Sequence, residues 1–454
     1  MGRIKTLLLI FIFALLQQNL IGQWSERRDG LPDLWSIGEA IDAIDANNAV
    51  VALRPSDIED YKVYKTDDAG ITWNEFGVFD RYFSGNMVDI SMINSNRVWV
   101  ATGLGLIYNT TDGGENWTTQ YYDTTKTRFM NYIEMFDINN GIAMGDALNN
   151  TLPAVFLKTE DGGTSWISMN DSPFASSSGD SWRRIDFVNP QIGYFAFSVG
   201  SRYEIYKTTD GGANWNKTNF SISDKVDVNA GVHIIKFYNE NIGLVYDINN
   251  NLGTDNNRVI YRTIDGGENW EVFSIASNGW GNDFEFLPNN PAKVWFTDSR
   301  KLFFSSDTGR TWTFRTVDDE NSEVGRDLVF VNDSCGWVLG DDDKLFYTNN
   351  NGGTATDVRE NIDEIIPTEF TLYQNYPNPF NPTTHFEYEL PNKSFVNISV
   401  YNILGEKEIE LVNKEQGAGS YNVSFHGANL PSGVYLIHMK AGKYSNTIKA
   451  VLAK

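Results

Sequence analysis

By type and spacing, the side chains best suited to chemistry are six aspartates set in one short pattern, Ser/Thr-x-Asp-x-Gly-x-x-Trp: Asp68, Asp112, Asp161, Asp210, Asp265 and Asp307. Paired carboxylates can act as general acid and base, or as acid and nucleophile in glycoside hydrolysis, when they flank one reacting bond. These six stand one per repeat at the same turn, which puts them far apart. Turn chemistry accounts for the pattern instead: hydroxyl and carboxylate take bonds from nearby N–H groups, glycine supplies positive φ, and tryptophan buries apolar area. The six are expected to be structural.

Other reactive candidates are few. Asp146, Asp247, Asp298 and Asp341 recur at the ends of strands and are the carboxylates a glycosidase would draw on. His233, the one histidine before residue 385, lies in an apolar strand pattern with no Gly-x-Ser-x-Gly segment before it, so a Ser-His-Asp triad has no support. Acidic stretches at 341–344 and 247–257 cluster oxygen ligands, but Gly253 misses calcium-loop spacing by one. A lone Cys335 forms no intrachain disulfide and, with four histidines in all, builds no His/Cys metal cluster; no metal or cofactor is expected. The formal charge of −23 repels a phosphate backbone, which argues against nucleic acid as partner.

The elements that hold these residues follow from the repeat. Intact boxes run Thr66–Trp73, Thr110–Trp117, Thr159–Trp166, Thr208–Trp215, Thr263–Trp270 and Ser305–Trp312, their tryptophans 42 to 55 residues apart. A seventh, Thr348–Ala355, has Asn350 for the aspartate and Ala355 for the tryptophan. A second pattern recurs in phase: an alternating apolar strand, a polar Asn/Asp turn and another apolar strand, starting at Ile41, Asp89, Ile133, Ile185, Ile235, Phe284 and Leu328. Each repeat parses as four strands, with the box between the third and fourth. Seven copies of each pattern predict an all-β chain, a seven-bladed β-propeller over 23–358. The last box is degenerate and Gln23–Arg27 lacks a repeat of its own, so this segment is expected to pair beside Leu345–Thr348 and close the ring.

The ends read differently. Arg3 and Lys5 precede an apolar run from Leu7 to Leu16, the order of an export signal over 1–22; the run is too short to span a bilayer, and no membrane span is expected in the mature protein. After an acidic linker, 359–366, come Pro/Asn-rich turns and a fresh set of strands over 367–454, which predict a small Ig-like β-sandwich.

Two resemblances follow from these motifs. The boxes resemble the Asp-box, or BNR, repeats of sialidase-type propellers, and the second pattern is most similar to the sortilin-like and photosystem II assembly-factor-like group. The segments PTEFTLYQNYPNPFNPTTHFEYELP, VNISVYNILGE, GSYNVSFHGANLPSGVYLIHM and IKAVLAK resemble the type A C-terminal sorting domain of the type IX secretion system. That resemblance implies export through the periplasm to the medium or outer cell surface of a Bacteroidota-like bacterium, with the type IX machinery as partner. A sialidase would need a Phe/Tyr-Arg-Ile-Pro opening and three arginines; Arg27-Arg28 lacks the Ile-Pro.

Function is expected on the face opposite the boxes, where variable loops enter each inner strand and join the second strand to the third. Trp35, Tyr132, Trp182, Arg183, Trp280 and Arg326 lie just before inner strands, and aromatic platforms with arginines suit a glycan or an acidic peptide or protein. The reading is a non-catalytic binding propeller; the alternative is an extracellular glycoside hydrolase of sialidase or glucanase type.

Overall fold

The computed structural model describes residues 24–352 and 370–454, apart from 33–34, 56–59, 147, 149–153, 170–183, 200–201, 221–231, 248–257, 276, 278–280, 299–300, 316, 318–324, 341–343, 376–377 and 418. The expected signal segment and the linker lie outside them. The chain divides into two compact units, 1–356 and 357–454.

Among the described residues, the first unit comprises seven four-stranded antiparallel sheets. Sheet 2 shows the plan: Met87–Asn94, Arg97–Thr102, Leu106–Thr110 and Thr118–Tyr122 lie side by side in chain order. Its second strand is apolar without alternation because sheets stack on both of its faces: Val98, Trp99, Val100 and Ala101 are all fully buried. The interfaces follow one another in a circle. Sheet 1 packs on sheet 2 through Val50, Phe76, Ile90 and Val98, while Ile41, Val51 and Trp73 pack on Trp337 and Leu339 of sheet 7.

Sheet 7 is assembled from both ends of the unit. Asp327–Phe330, Gly336–Leu339 and Leu345–Thr348 supply three strands, and Ser25–Glu26 supplies the fourth, with Ser25 opposite Tyr347 and Glu26 opposite Phe346. The N-terminal segment thus closes the ring where the degenerate repeat predicts it. Trp24 completes the box itself. It lies where a box tryptophan would, just before the fourth strand and against the box glycine: a Cβ on Gly352 would come within 2.8 Å of Trp24 Nε1. The ring is buried edge-on to Trp295 and Phe330, with centroids 5.6 and 6.1 Å away. Trp24 therefore replaces the tryptophan that the seventh box lost at Ala355.

The box turns share one hydrogen-bond scheme. In sheet 4, Thr208 Oγ1 donates to Asp210 Oδ1 (2.8 Å) and accepts from Gly212 N–H (2.9 Å), while Asp210 Oδ1 also accepts from Asn214 N–H (2.8 Å). Gly211 and Gly212 have φ of 74° and 95°, a region closed to most side chains. The degenerate box keeps the scheme through Asn350 and Gly352. Thr208→Val should retain the shape but leave the buried Gly212 N–H unpaired, lowering stability by about 1–3 kcal/mol. A shifted urea midpoint with an unchanged slope would report this; no shift would show that the hydroxyl is dispensable.

The second unit has a three-stranded sheet, Thr371–Leu372, Thr383–Leu390 and Gly419–His426, and a four-stranded sheet ordered Lys407–Gln416, Ser394–Asn402, Gly433–Ala441, Tyr444–Leu452. One core joins them, with Phe386, Tyr388 and Phe425 meeting Ile398, Val400, Ile437 and Met439.

Candidate functional site

The first strand of every sheet in the ring is an edge strand, so half its backbone groups have no partner within the sheet. Period-2 alternation gives each first strand one set of side chains on a central cavity of about 230 Å³, lined among others by Asp42, Asp89, Tyr132, Glu134, Asp186, Lys236, Asp283, Glu285 and Asp327. These side chains clasp each sheet to the next. Asp42 Oδ2 accepts from Met92 N–H (2.6 Å), Asp89 Oδ2 from Ile133 N–H (2.8 Å), and the Tyr132 hydroxyl from Phe187 N–H (3.2 Å). Asp186 Oδ2 accepts from Phe237 N–H (2.7 Å). Lys236 Nζ stands 3.5 Å from Glu285 Oε2 and 3.8 Å from Asp186 Oδ1. Asp283 and Glu285 take the N–H groups of Leu328 and Phe330 (both 3.4 Å), and Asp327 Oδ2 takes that of Ile41 (2.9 Å), which joins the last sheet to the first.

Burial dominates the electrostatics here. It pushes the Asp42 carboxyl up to about 7, against the two N–H bonds it accepts and with help from the Asp89 and Glu285 charges. Glu134 is raised well above the usual range by burial and then by the Asp42 charge, with Lys236 opposing. Asp186 and Glu285 are raised by burial even though Lys236 pulls them down. For Lys236 itself, burial lowers the ammonium, but Glu285, Asp186, Asp283 and Glu134 together outweigh it and hold it well above its usual value. Of this ring only Tyr132 stands among the residues singled out from the sequence, and its expected place is the loop face rather than the cavity. The signal was a polar residue at alternate positions of each first strand, as in IDAI, DISM, YIEM, IDF, IIKF, DFEF and DLVF.

A second arrangement stands on the face opposite the boxes. Arg184 directly precedes the first strand of sheet 4, Ile185–Phe187; His233 is in the first strand of sheet 5, Val232–Phe237; Arg258 opens the third strand of that sheet, Arg258–Thr263. Burial, with the charges of Arg184 and then Arg258, holds the His233 imidazole down at about 4. The Arg184 guanidinium lies 5.3 Å from the Tyr203 ring centre. Two cations thus lie near enough to His233 for their charges to act on it, in a chain whose formal charge is −23.

Of the six residues expected on this face, Trp182, Arg183 and Trp280 lie outside the described residues. Trp35 opens the first strand of sheet 1 with its backbone opposite Pro55. Tyr132 belongs to the central cavity, stacked at 6.4 Å on Phe187. Arg326 is half-buried beside the first strand of sheet 7, its N–H bonded to Leu339 O (2.8 Å). The carboxylates at second-strand ends are engaged: Asp298 accepts from the Ser277 hydroxyl and Lys301 N–H (both 2.6 Å), Asp146 accepts from Asn131 Nδ2 (2.7 Å), and Asp247 is fully buried. Asp341 lies outside the described residues. Among the described residues, no three His, Cys, Asp or Glu side chains stand close enough to share a metal ion.

In the second unit the Pro/Asn-rich motif ties down the final strand. Asn378 Nδ2 donates to Lys449 O (2.8 Å), its Oδ1 accepts from Val451 N–H (2.7 Å), and Phe380 exchanges backbone bonds with Val451 and Ala453. A family model described as a secretion system C-terminal sorting domain matches residues 374–453. The tail is a type IX sorting domain. With it the protein is a secreted or outer-surface protein, and no helix among the described residues is long and apolar enough to cross a membrane.

A second model, described as sortilin, neurotensin receptor 3, matches residues 258–385, the last part of the first unit and the opening of the second. Photosystem II assembly lipoprotein Ycf48 from Synechococcus sp. (strain CC9902) is 26% identical over 286 residues, 62% of this chain and 76% of that protein. Among solved structures, Ycf48 bound to a D1 peptide has a TM-score of 0.54 at 18% identity, covering 72% of this chain and 97% of its own. A GH74 enzyme from Niastella koreensis has a TM-score of 0.52 at 13% identity, covering 94% of this chain and 74% of its own. These likenesses establish the propeller fold, a scaffold that carries both binding proteins and enzymes.

Proposed function

We propose that the protein is a secreted, non-catalytic binding propeller that takes an acidic segment of a peptide or protein on the face opposite the Asp boxes. In this reading the seven sheets are the blades of a propeller over 23–358, a linker covers 359–366, and 367–454 is an immunoglobulin-like sandwich read by the type IX machinery. The observation that carries the reading is the Arg184–His233–Arg258 cluster. Guanidinium groups match carboxylates in a planar fork, and the nearby imidazole, held down by burial and by their charges, adds a hydrogen-bonding group without competing charge. That the similar Ycf48 structure holds a peptide supports a peptide over a sugar. Trp35, Trp182, Arg183, Trp280 and Arg326 are proposed to extend the same surface.

The test is a screen of acidic and neutral peptides, with a glycan array in parallel, against wild type and the Arg184→Ala/Arg258→Ala double variant. Binding of acidic peptides should fall at least tenfold in the double variant, since each charge-assisted bond contributes about 1.5–3 kcal/mol. Arg258 also bonds the buried Tyr246, so folding of the double variant is checked by its fluorescence and unfolding midpoint, and the binding loss is compared with that of Arg184→Ala alone. Equal binding by both proteins would remove the site, and turnover of any glycan would move the protein to the hydrolase class.

A further inference from the structure

The central cavity presents a charge problem that the clasp alone leaves unsolved. Seven carboxyl groups, Asp42, Asp89, Glu134, Asp186, Asp283, Glu285 and Asp327, line it with a single ammonium, Lys236. Fully ionised, the group would carry six net negative charges around a space of about 230 Å³. Like charges at such separations, away from bulk water, repel strongly. A shared metal ion is an unsuitable remedy, because six of the seven carboxylates are each held by an N–H group on a neighbouring strand. Held apart round the ring, they do not converge on one point, and no metal-binding grouping is found among the described residues. Protons neutralise carboxylates one at a time, without needing them to converge on a shared site. A carboxylic acid keeps a carbonyl oxygen that can still accept the neighbouring N–H, so the clasp survives protonation while the repulsion does not.

We propose that the cavity is a proton-loaded clasp: Asp42 and Glu134 hold protons in the closed ring, and ring closure is tightened by acid and loosened by alkali. Asp42 links sheets 1 and 2 through Met92. Glu134, in sheet 3, makes none of these strand-to-strand bonds among the described residues, yet it faces Asp42, Asp89, Asp186 and Lys236. Groups held above their ordinary values make the folded state bind protons more tightly than the unfolded chain. Their stabilisation is therefore complete in acid and is lost as pH rises through the folded value, which for Asp42 is about 7. Exposed box aspartates act in the opposite sense. Hydrogen bonds from Thr72 hold Asp68 below its ordinary value, and those from Asn116 do the same for Asp112, so their contribution is present above the ordinary carboxylate value and lost below it. His233, held down at about 4 by burial and by the charges of Arg184 and Arg258, likewise gains stability as pH rises toward its ordinary value, so the clasp is read from the difference between wild type and a variant that keeps His233.

All thirteen tryptophans precede residue 338, so tryptophan fluorescence of the full chain reports unfolding of the propeller unit alone. Measured relative to Asp42→Asn, which keeps an oxygen for Met92 N–H but cannot ionise, the wild-type urea midpoint should fall from about pH 5 to about pH 8, the His233 contribution being common to both proteins. If that variant fails to fold, Glu134→Gln carries the same test without touching a clasp bond. Infrared spectra at neutral pH should show a buried carboxylic acid band that weakens in either variant. A wild-type midpoint that does not fall relative to either variant between pH 5 and 8, variants that lower the midpoint equally at every pH, or a saturable rescue at pH 8 by millimolar calcium or magnesium would each overturn the proposal, the last by showing that a metal cation neutralises the ring.

Discussion

Replacing Trp24 by alanine is expected to destabilise the propeller unit by about 3–5 kcal/mol, the range for removing a buried aromatic from a packed site. Against a total of roughly 5–15 kcal/mol for a typical folded domain, that is a large fraction. The residue is 3% exposed and lies in one cluster with Leu287, Trp295, Leu302, Phe330, Val338 and Phe346, so the lost ring leaves a cavity between sheets 6 and 7. A second consequence adds to the cavity. Ser25–Glu26 is a two-residue strand whose hold on Tyr347 and Phe346 is backed by a few further bonds, Arg27 N–H to Leu345 O at 2.9 Å, Ser25 Oγ to Tyr347 O at 3.3 Å and Trp73 Nε1 to Arg27 O at 3.1 Å. Without Trp24 as anchor the segment should fray, exposing the Leu345–Thr348 edge. Chemical unfolding followed by fluorescence, and limited proteolysis at 24–28, measure the two effects. Trp24→Phe should recover part of the loss, and a midpoint unchanged within about 0.5 kcal/mol would show that the ring closes without this side chain.

Removal of 362–454 should abolish export while leaving a folded propeller. The core of the second unit is drawn from its own residues, so the first unit keeps its described core clusters when the tail is cut away. In the native host the truncated protein should accumulate in the periplasm with wild-type fluorescence and protease resistance. Fusion of 367–454 to an inert periplasmic cargo should send that cargo outward. Normal yield of the truncated protein in the medium would contradict the assignment. Unfolded truncated protein would show that the tail also serves folding.

How much of this could be read from the chain alone depends on range. Box turns were legible because their determinants lie within eight residues: a hydroxyl, a carboxylate and a glycine meet by local geometry in any copy. Repetition then made blade-like sheets legible, and the missing tryptophan at Ala355 with an unassigned N-terminal segment foretold closure by Ser25–Glu26. The Asn- and Pro-rich tail motif was legible for a similar reason, since a dense local pattern marks it out.

Partners from different sheets were not legible. Asp42 and Met92 are 50 residues apart, Asp327 and Ile41 are 286 apart, and nothing in a periodic pattern states which edge N–H a side chain will meet across a sheet interface. Alternation told which residues share a face, but only ring closure turned one face of each first strand toward a common cavity, and that enclosure is what shifts Asp42 and Glu134. In the same way the charges of Arg184 and, from the next sheet, Arg258 act on His233 across a sheet interface that no local pattern states. The chain by itself thus determined what repeats and how each turn is made, because those follow from neighbours in sequence. Which charges meet was decided by the tertiary structure, because burial and proximity between sheets exist only once the ring is closed.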